Sequence, residues 1–125
     1  MKLRTLWVEN GRLAGAIGLE ALESKFVPIH HRGDRVPAVR TRMFGTTEDQ
    51  QTTIRISMYF GDDSASDVSD CVKMAEYRVH DFPACPRGEC RIEVYFRVTE
   101  SEFTLDAIDR GTGLIVPVEE IPANG

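Results

Sequence analysis

Apolar and polar residues alternate with a period of two in two segments of the chain. Between residues 53 and 60, the apolar residues Ile54, Ile56, Met58 and Phe60 alternate with Thr53, Arg55, Ser57 and Tyr59. Between residues 92 and 98, the apolar positions are Ile92, Val94, Phe96 and Val98. Because successive side chains of a β-strand point to opposite faces of the sheet, this pattern predicts two strands that each bury one face.

Six further segments show the same alternation less clearly, and turn-forming residues separate them at 32–34, 61–63, 86–88 and 110–113. Short strands at such regular spacing predict an all-β protein built as an antiparallel β-sandwich. The six weaker strands are predicted at residues 16–22, 25–30, 38–44, 75–82, 102–109 and 114–118.

One stretch, residues 62–80, fits two kinds of structure. Val68, Val72, Ala75 and Val79 recur at the spacing of one helical face. An amphipathic helix is therefore an alternative to a loop followed by a strand. Periodicity alone leaves both open.

Length and composition restrict the class of protein. A chain of 125 residues with 42% hydrophobic and 28% charged residues predicts one globular domain. The net charge of −5 argues against a nucleic-acid partner, because phosphate contacts need clustered lysine and arginine. No apolar run is long enough to span a membrane, and the first ten residues become charged too early for a secretory signal. We therefore expect a cytoplasmic protein with no membrane partner.

Three cysteines raise the question of metal or redox chemistry. Cys85 and Cys90 have four residues between them, with His80 upstream and Cys71 at an irregular distance. A closed zinc site needs four nitrogen or sulfur ligands, and at most three candidates lie locally. We expect ordinary thiols near a turn and no metal, with a labile redox pair as the alternative.

Other short motifs are explained by ordinary structure. Arg32-Gly33-Asp34 is expected to form a hairpin turn, since Gly and Asp tolerate the backbone conformations of turns. His30 and His31 are expected to be surface residues on opposite faces of a strand. The chain has no Gly-x-Ser-x-Gly, no His-Glu-x-x-His and no phosphate loop. We therefore expect no enzymatic activity and no catalytic residues.

The order of several short segments follows that of a known family. Gly18-Leu19-Glu20 ends a strand of small residues and Val36-Pro37 opens the third strand. Phe44-Gly45-Thr46-Thr47-Glu48-Asp49-Gln50-Gln51 then precedes Thr53-Ile54-Arg55-Ile56. Pro86-Arg87-Gly88 precedes Ile92-Glu93-Val94-Tyr95-Phe96, and Ala107-Ile108-Asp109 leads to Gly113. From Ala16 to Val118 the chain resembles the β-sandwich substrate-binding domain of the 70-kDa heat-shock chaperones of the DnaK type.

This resemblance implies a sandwich of two four-stranded sheets. It implies an acidic loop and then a strand in the ambiguous stretch. We expect the helical lid that normally follows in the family to be missing here, which is a departure from the family pattern. Residues 16–118 would form the peptide-binding domain, residues 1–15 an N-terminal extension or linker remnant, and residues 119–125 a C-terminal tail.

The resemblance also implies a site, a channel between the loop joining the first two strands and the loop joining the third and fourth. The apolar pocket would be lined by Leu19, Phe44, Ile54, Ile56 and Ile92. Leu22 and Thr47 would arch over a bound peptide, and Ala21, Gly45 and Gln51 would contact its main chain.

The implied function is chaperone-type binding of extended hydrophobic segments of unfolded proteins, as part of a stress response. A chaperone ATPase domain or a co-chaperone is a further implied partner. No cofactor is expected in this chain, since ATP would bind only to an upstream nucleotide-binding domain.

Departures from the family pattern suggest an alternative function. The apolar interdomain linker of the family is interrupted here, in Trp7-Val8-Glu9-Asn10-Gly11. We also expect no ATPase domain before it. Arg55 occupies an edge that would face the peptide. The alternative is a degenerate interaction domain that docks one fixed protein partner and binds no peptide clients.

Overall fold

The computed structural model describes residues 1–122 as an antiparallel β-sandwich, which confirms the predicted all-β fold. No α-helix is present among these residues. Eleven strands are present: β1 Val8–Glu9, β2 Arg12–Leu13, β3 Ala16–Ala21, β4 Lys25–His30, β5 Ala38–Phe44, β6 Thr53–Gly61, β7 Val72–His80, β8 Ile92–Val98, β9 Phe103–Asp109, β10 Ile115–Val116 and β11 Val118–Ile121.

Two sheets face each other across the core. One has four strands in the order β10-β9-β8-β5, and the other has five in the order β11-β7-β6-β3-β4. The alternation read from the sequence places the apolar faces of β6 and β8 inward, where Met58 and Phe96 are fully buried. The two segments with the clearest period of two, β6 and β8, therefore contribute fully buried residues to the core between the sheets.

The second sheet has five strands rather than four because the predicted last strand divides at Pro117. β10 pairs with β9, whereas β11 pairs with β7 in the other sheet. Proline has no main-chain N–H for a ladder, and here its carbonyl accepts a bond of 3.1 Å from the His80 N–H. Residues 119–121 belong to the predicted C-terminal tail, but together with Val118 they form β11, the edge strand of the five-stranded sheet. Residues 123–125 of that tail lie outside the described residues.

Residues 62–80 do not form the alternative helix. A 3₁₀ turn covers Val68–Asp70 and is followed by β7, which pairs with β6 along almost its whole length. The loop and strand implied by the family resemblance are therefore present.

The first fifteen residues pack on the sandwich instead of leaving it. β1 and β2 form a hairpin whose turn is Asn10-Gly11, with φ angles of 53° and 72°. Such positive φ angles at both turn residues match the twist of a two-residue hairpin. Trp7, which directly precedes this hairpin, stacks on Phe60 with the ring centroids 4.6 Å apart and so covers one end of β6.

Candidate functional site

An opening between two neighbouring strands, β3 and β6, is the feature on which the candidate site is built. Their ladder covers only four residue pairs, from Ala16 opposite Gly61 to Leu19 opposite Met58. Beyond this point β3 continues to Ala21 along β4, and β6 continues back to Thr53 along β7. Residues 20–21 and 53–57 therefore line a gap between β3 and β6, which we call the seam. Among the described residues, no main-chain pairing joins the two strands across this gap.

The first loop beside the seam joins β3 to β4. Leu22–Ser24 form a 3₁₀ turn in which Glu23 and Ser24 have φ angles near +60°. The turn presents Leu22 to solvent, and this residue is 89% exposed. An apolar side chain so exposed at the end of an open ladder is available for contact with a ligand. Ala21, the last residue of β3, lies at the same point and pairs with Lys25.

The second loop, residues 45–52, joins β5 to β6 and is organised by one side chain. The Gln51 Oε1 atom accepts bonds from the main-chain N–H groups of Thr47 at 3.0 Å and Glu48 at 3.2 Å. Its Nε2 atom donates to the Thr53 carbonyl at 2.7 Å. Gln51 therefore fixes the loop on the start of β6, while Gly45 and Thr47 remain exposed.

This second loop is braced from outside by residues 83–91, a contact that the sequence analysis missed. The Gly88 N–H donates to the Thr46 carbonyl at 3.0 Å, and the Arg87 N–H donates to the Asp49 carboxylate at 2.8 Å. Thr46 is buried by this contact. Periodicity gives no signal for such bonds, because both partners lie in irregular loops.

Cys85 and Cys90, expected to be ordinary thiols with a redox pair as the alternative, form a disulfide within the bracing loop. Their Cα atoms are 5.8 Å apart, within the range that a disulfide spans. Cys71 is unpaired. Within residues 1–122, no group of three or more histidine, cysteine or acidic side chains is arranged to hold a metal ion.

The five residues of the predicted pocket belong to the core cluster or pack against it, but they differ in burial. Ile56 and Ile92 belong to the core, with 3% and 0% exposure. Leu19, Phe44 and Ile54 are half-buried and pack against that core from its edge. The half-buried three are therefore the more accessible part of the predicted pocket.

Arg55 is the one charged residue of β6, and it lies on the outer face of the strand beside the seam. Arg55 turns toward β7, where its guanidinium lies 3.1 Å from the Glu76 carboxylate. A hydrogen bond from the Lys73 ammonium lowers the pKa of Glu76, so the acidic partner stays ionised at neutral pH. Arg55 is thus held on the side of β6 that faces away from β3.

His30 is fully buried, contrary to the expectation that it is a surface residue. Its Nε2 atom lies 2.9 Å from the Phe96 carbonyl, which requires Nε2 to donate, and its Nδ1 atom has no partner among the described residues. Burial lowers the pKa of this imidazole below the ordinary 6.5. His31 is exposed, and Arg32-Gly33-Asp34 forms the expected turn, with Gly33 at φ 87°.

The fold and the seam together define an antiparallel β-sandwich module with a split ladder flanked by two loops. A family model described as Hsp70 protein matches residues 13–120, and the chain belongs to the Hsp70 family.

Three curated relatives illustrate the similarity. The chain is 32% identical over 111 residues to the mitochondrial-type heat shock protein 70 of Encephalitozoon cuniculi, covering 88% of this chain and 18% of that protein. It is 31% identical over 98 residues to the chaperone protein DnaK of Thermosipho africanus, covering 78% and 16%. It is 31% identical over 99 residues to the chloroplastic heat shock 70 kDa protein 6 of Arabidopsis thaliana, covering 78% and 14%. The chain thus spans less than a fifth of the length of these relatives.

One further finding concerns membranes. Among residues 1–122, no helix is long and apolar enough to cross a bilayer.

Proposed function

We propose that this chain binds extended apolar segments of unfolded polypeptides in the seam between β3 and β6, as the substrate-binding part of a chaperone. The observation that carries the proposal is the early end of the β3–β6 ladder at Leu19 and Met58. A strand that leaves its neighbour exposes main-chain donors and acceptors on both sides. An extended peptide can pair with such groups whatever its sequence.

The energetics fit a binder of moderate affinity and broad specificity. Each main-chain hydrogen bond contributes about 0.5–1.5 kcal/mol net. Burial of one leucine or isoleucine side chain of the peptide adds roughly 1.5–3 kcal/mol. After the cost of ordering the peptide, the sum is near −8 kcal/mol, which corresponds to a Kd of about 1 μM.

Side-chain selection would come from the half-buried apolar residues at the seam. Leu19 and Ile54 would contribute from the two strands, and the exposed Leu22 would contribute from the first loop. A peptide with an exposed leucine would bury these three surfaces together. A peptide of polar residues would gain only the main-chain bonds, so apolar segments of unfolded proteins are the favoured class of partner.

The orientation of Arg55 favours peptide binding over the alternative function, a degenerate domain that docks one fixed partner. Its ion pair with Glu76 draws the guanidinium toward β7, so the side chain leaves the seam open. Coupling to an ATPase domain or a co-chaperone is a further proposal, which rests on family membership alone. We infer that the chain itself acts as a binding module and not as an enzyme.

Fluorescence anisotropy with a labelled leucine-rich heptapeptide tests the proposal. We expect saturable binding in the micromolar range, weakened about fivefold or more by Leu22→Ala. Leu6→Ala is the matched control, because Leu6 is 76% exposed but lies beside Trp7 at the other end of the sandwich. No binding below about a millimolar by a folded chain would refute the proposal. Recovery of one stoichiometric partner from lysate, with no heptapeptide binding, would instead support docking of a fixed partner.

A further inference from the structure

Strands β4 and β5 form open sheet edges on the same side of the sandwich, and the chain protects only one of them. The β4 edge is interrupted by Pro28, which has no N–H, and is capped where the Phe26 N–H donates to the Ser66 carbonyl at 3.1 Å. The outer edge of β5 has no main-chain partner among the described residues. Open edges attract further strands, which is why proteins usually cover or interrupt them.

The β5 edge has the regular geometry that a further strand requires. β5 pairs with β8 at all seven positions without a bulge, and no proline lies within it. Residues 39–43 are exposed, with Val39 at 47% and Met43 at 53%. A straight, exposed and proline-free strand of this length can accept a complete additional ladder.

The charges on β5 indicate what such a strand would carry. Arg40 lies opposite Phe96 and Arg42 lies opposite Val94, and both of these β8 residues are fully buried. Directly opposed residues share a face of the sheet. The two arginines are therefore on the inner face at the edge, where they line a cavity of about 420 Å³ between β4 and β5.

Little acidic charge balances this edge from within the chain. Arg40 lies 3.5 Å from the Asp34 carboxylate, and Arg42 forms no ion pair among the described residues. The chain as a whole carries a net charge of −5. A positive edge on an acidic protein selects partners by the sign of their charge.

We propose that β5 is a docking edge for an extended acidic segment of another protein, which adds as a further strand. Its acidic side chains would lie opposite Arg40 and Arg42, and apolar side chains between them would lie on the outer face with Val39 and Met43. The partner is therefore an extended stretch in which acidic and apolar residues alternate.

A second copy of this chain does not fit the same edge. Antiparallel pairing of two β5 strands about Thr41 would place Arg40 of each copy opposite Arg42 of the other. Like charges directly opposed across strands are destabilising. The edge also belongs to a different sheet from the seam, so the acidic segment and a peptide in the seam would bind without competing.

The probe for this proposal is a labelled peptide of about nine residues in which valine and glutamate alternate. We expect saturable binding that weakens about tenfold or more in Arg40→Glu/Arg42→Glu and falls with added salt. Lys2→Glu/Arg4→Glu changes the net charge equally at exposed sites outside β5 and should change binding less than about twofold.

Two measurements on the unmodified chain separate strand addition from simple charge attraction. A peptide N-methylated at alternate residues, prepared in both frames, should lose binding in one frame, because one set of N–H groups faces β5. Excess leucine-rich heptapeptide should leave binding unchanged. Equal binding in both frames, competition by the heptapeptide, or no effect of the arginine reversals would overturn the proposal. Dimerisation through β5 in sedimentation experiments would also overturn it.

Discussion

Replacement of Ile54 by Phe separates a ligand-facing position from a core position on one strand. Ile54 and Ile56 are two residues apart on β6 and point to the same face of the sheet. Ile56 is 3% exposed and packed within the core, whereas Ile54 is half-buried beside the seam. The same substitution at both positions therefore adds the same volume in two different environments.

The expected magnitudes follow from the packing around each residue. Additional volume in a filled core costs about 1–3 kcal/mol, so Ile56→Phe should lower the free energy of unfolding by that amount. The corresponding decrease in Tm is about 3–10 °C for a domain of this size. Ile54→Phe should cost less than about 1 kcal/mol, since the larger ring can extend into the seam. It should weaken binding of the leucine-rich heptapeptide about tenfold, or 1.4 kcal/mol, by filling the space that the ligand needs.

Urea unfolding of both variants and an anisotropy titration of Ile54→Phe measure these effects. The reasoning is refuted if Ile54→Phe destabilises the protein as much as Ile56→Phe does. That outcome would place Ile54 in the filled core and remove it from the ligand surface. Stable Ile54→Phe with unchanged peptide affinity would also refute the assignment.

Three further predictions concern the stability of the sandwich. Burial lowers the pKa of His30, so below about pH 6.5 the unfolded chain binds a proton that the folded chain does not. The urea midpoint of the protein should therefore fall as the pH drops below about 6.5. This decrease should be smaller in His30→Gln. Gly18→Ala should lower the free energy of unfolding by about 1–3 kcal/mol, because the new Cβ would lie 2.4 Å from a carbonyl oxygen of β4. At Gly45 a new Cβ would meet no atom closer than 3.7 Å, so Gly45→Ala should lower the Tm less than Gly18→Ala does. Thiol titration of the denatured, unreduced protein should give one free cysteine, and a count of three would exclude the Cys85–Cys90 disulfide.

Local signals in the sequence determined most of the strands. The alternation of residues 53–60 and 92–98 marked β6 and β8, and the weaker patterns gave the bounds of β4 and β5 as the structure has them. The β1–β2 hairpin also has a local signal, since Asn10-Gly11 is a strong two-residue turn sequence. The family resemblance instead assigns these two residues to an interrupted linker. Such features are readable because their cause lies within a few neighbouring residues.

Tertiary structure decided the features that depend on partners distant in the chain. Residues 72–80 carry helical spacing, yet they form a strand because β6 and β11 supply main-chain hydrogen bonds on both sides. His30 can be buried because the Phe96 carbonyl, 66 positions away, accepts a hydrogen bond from its Nε2–H group. The seam exists because β3 follows β4 beyond Leu19 while β6 follows β7. Periodicity reports which side of a strand is apolar, but it does not report where two strands separate, and the candidate site lies at such a separation.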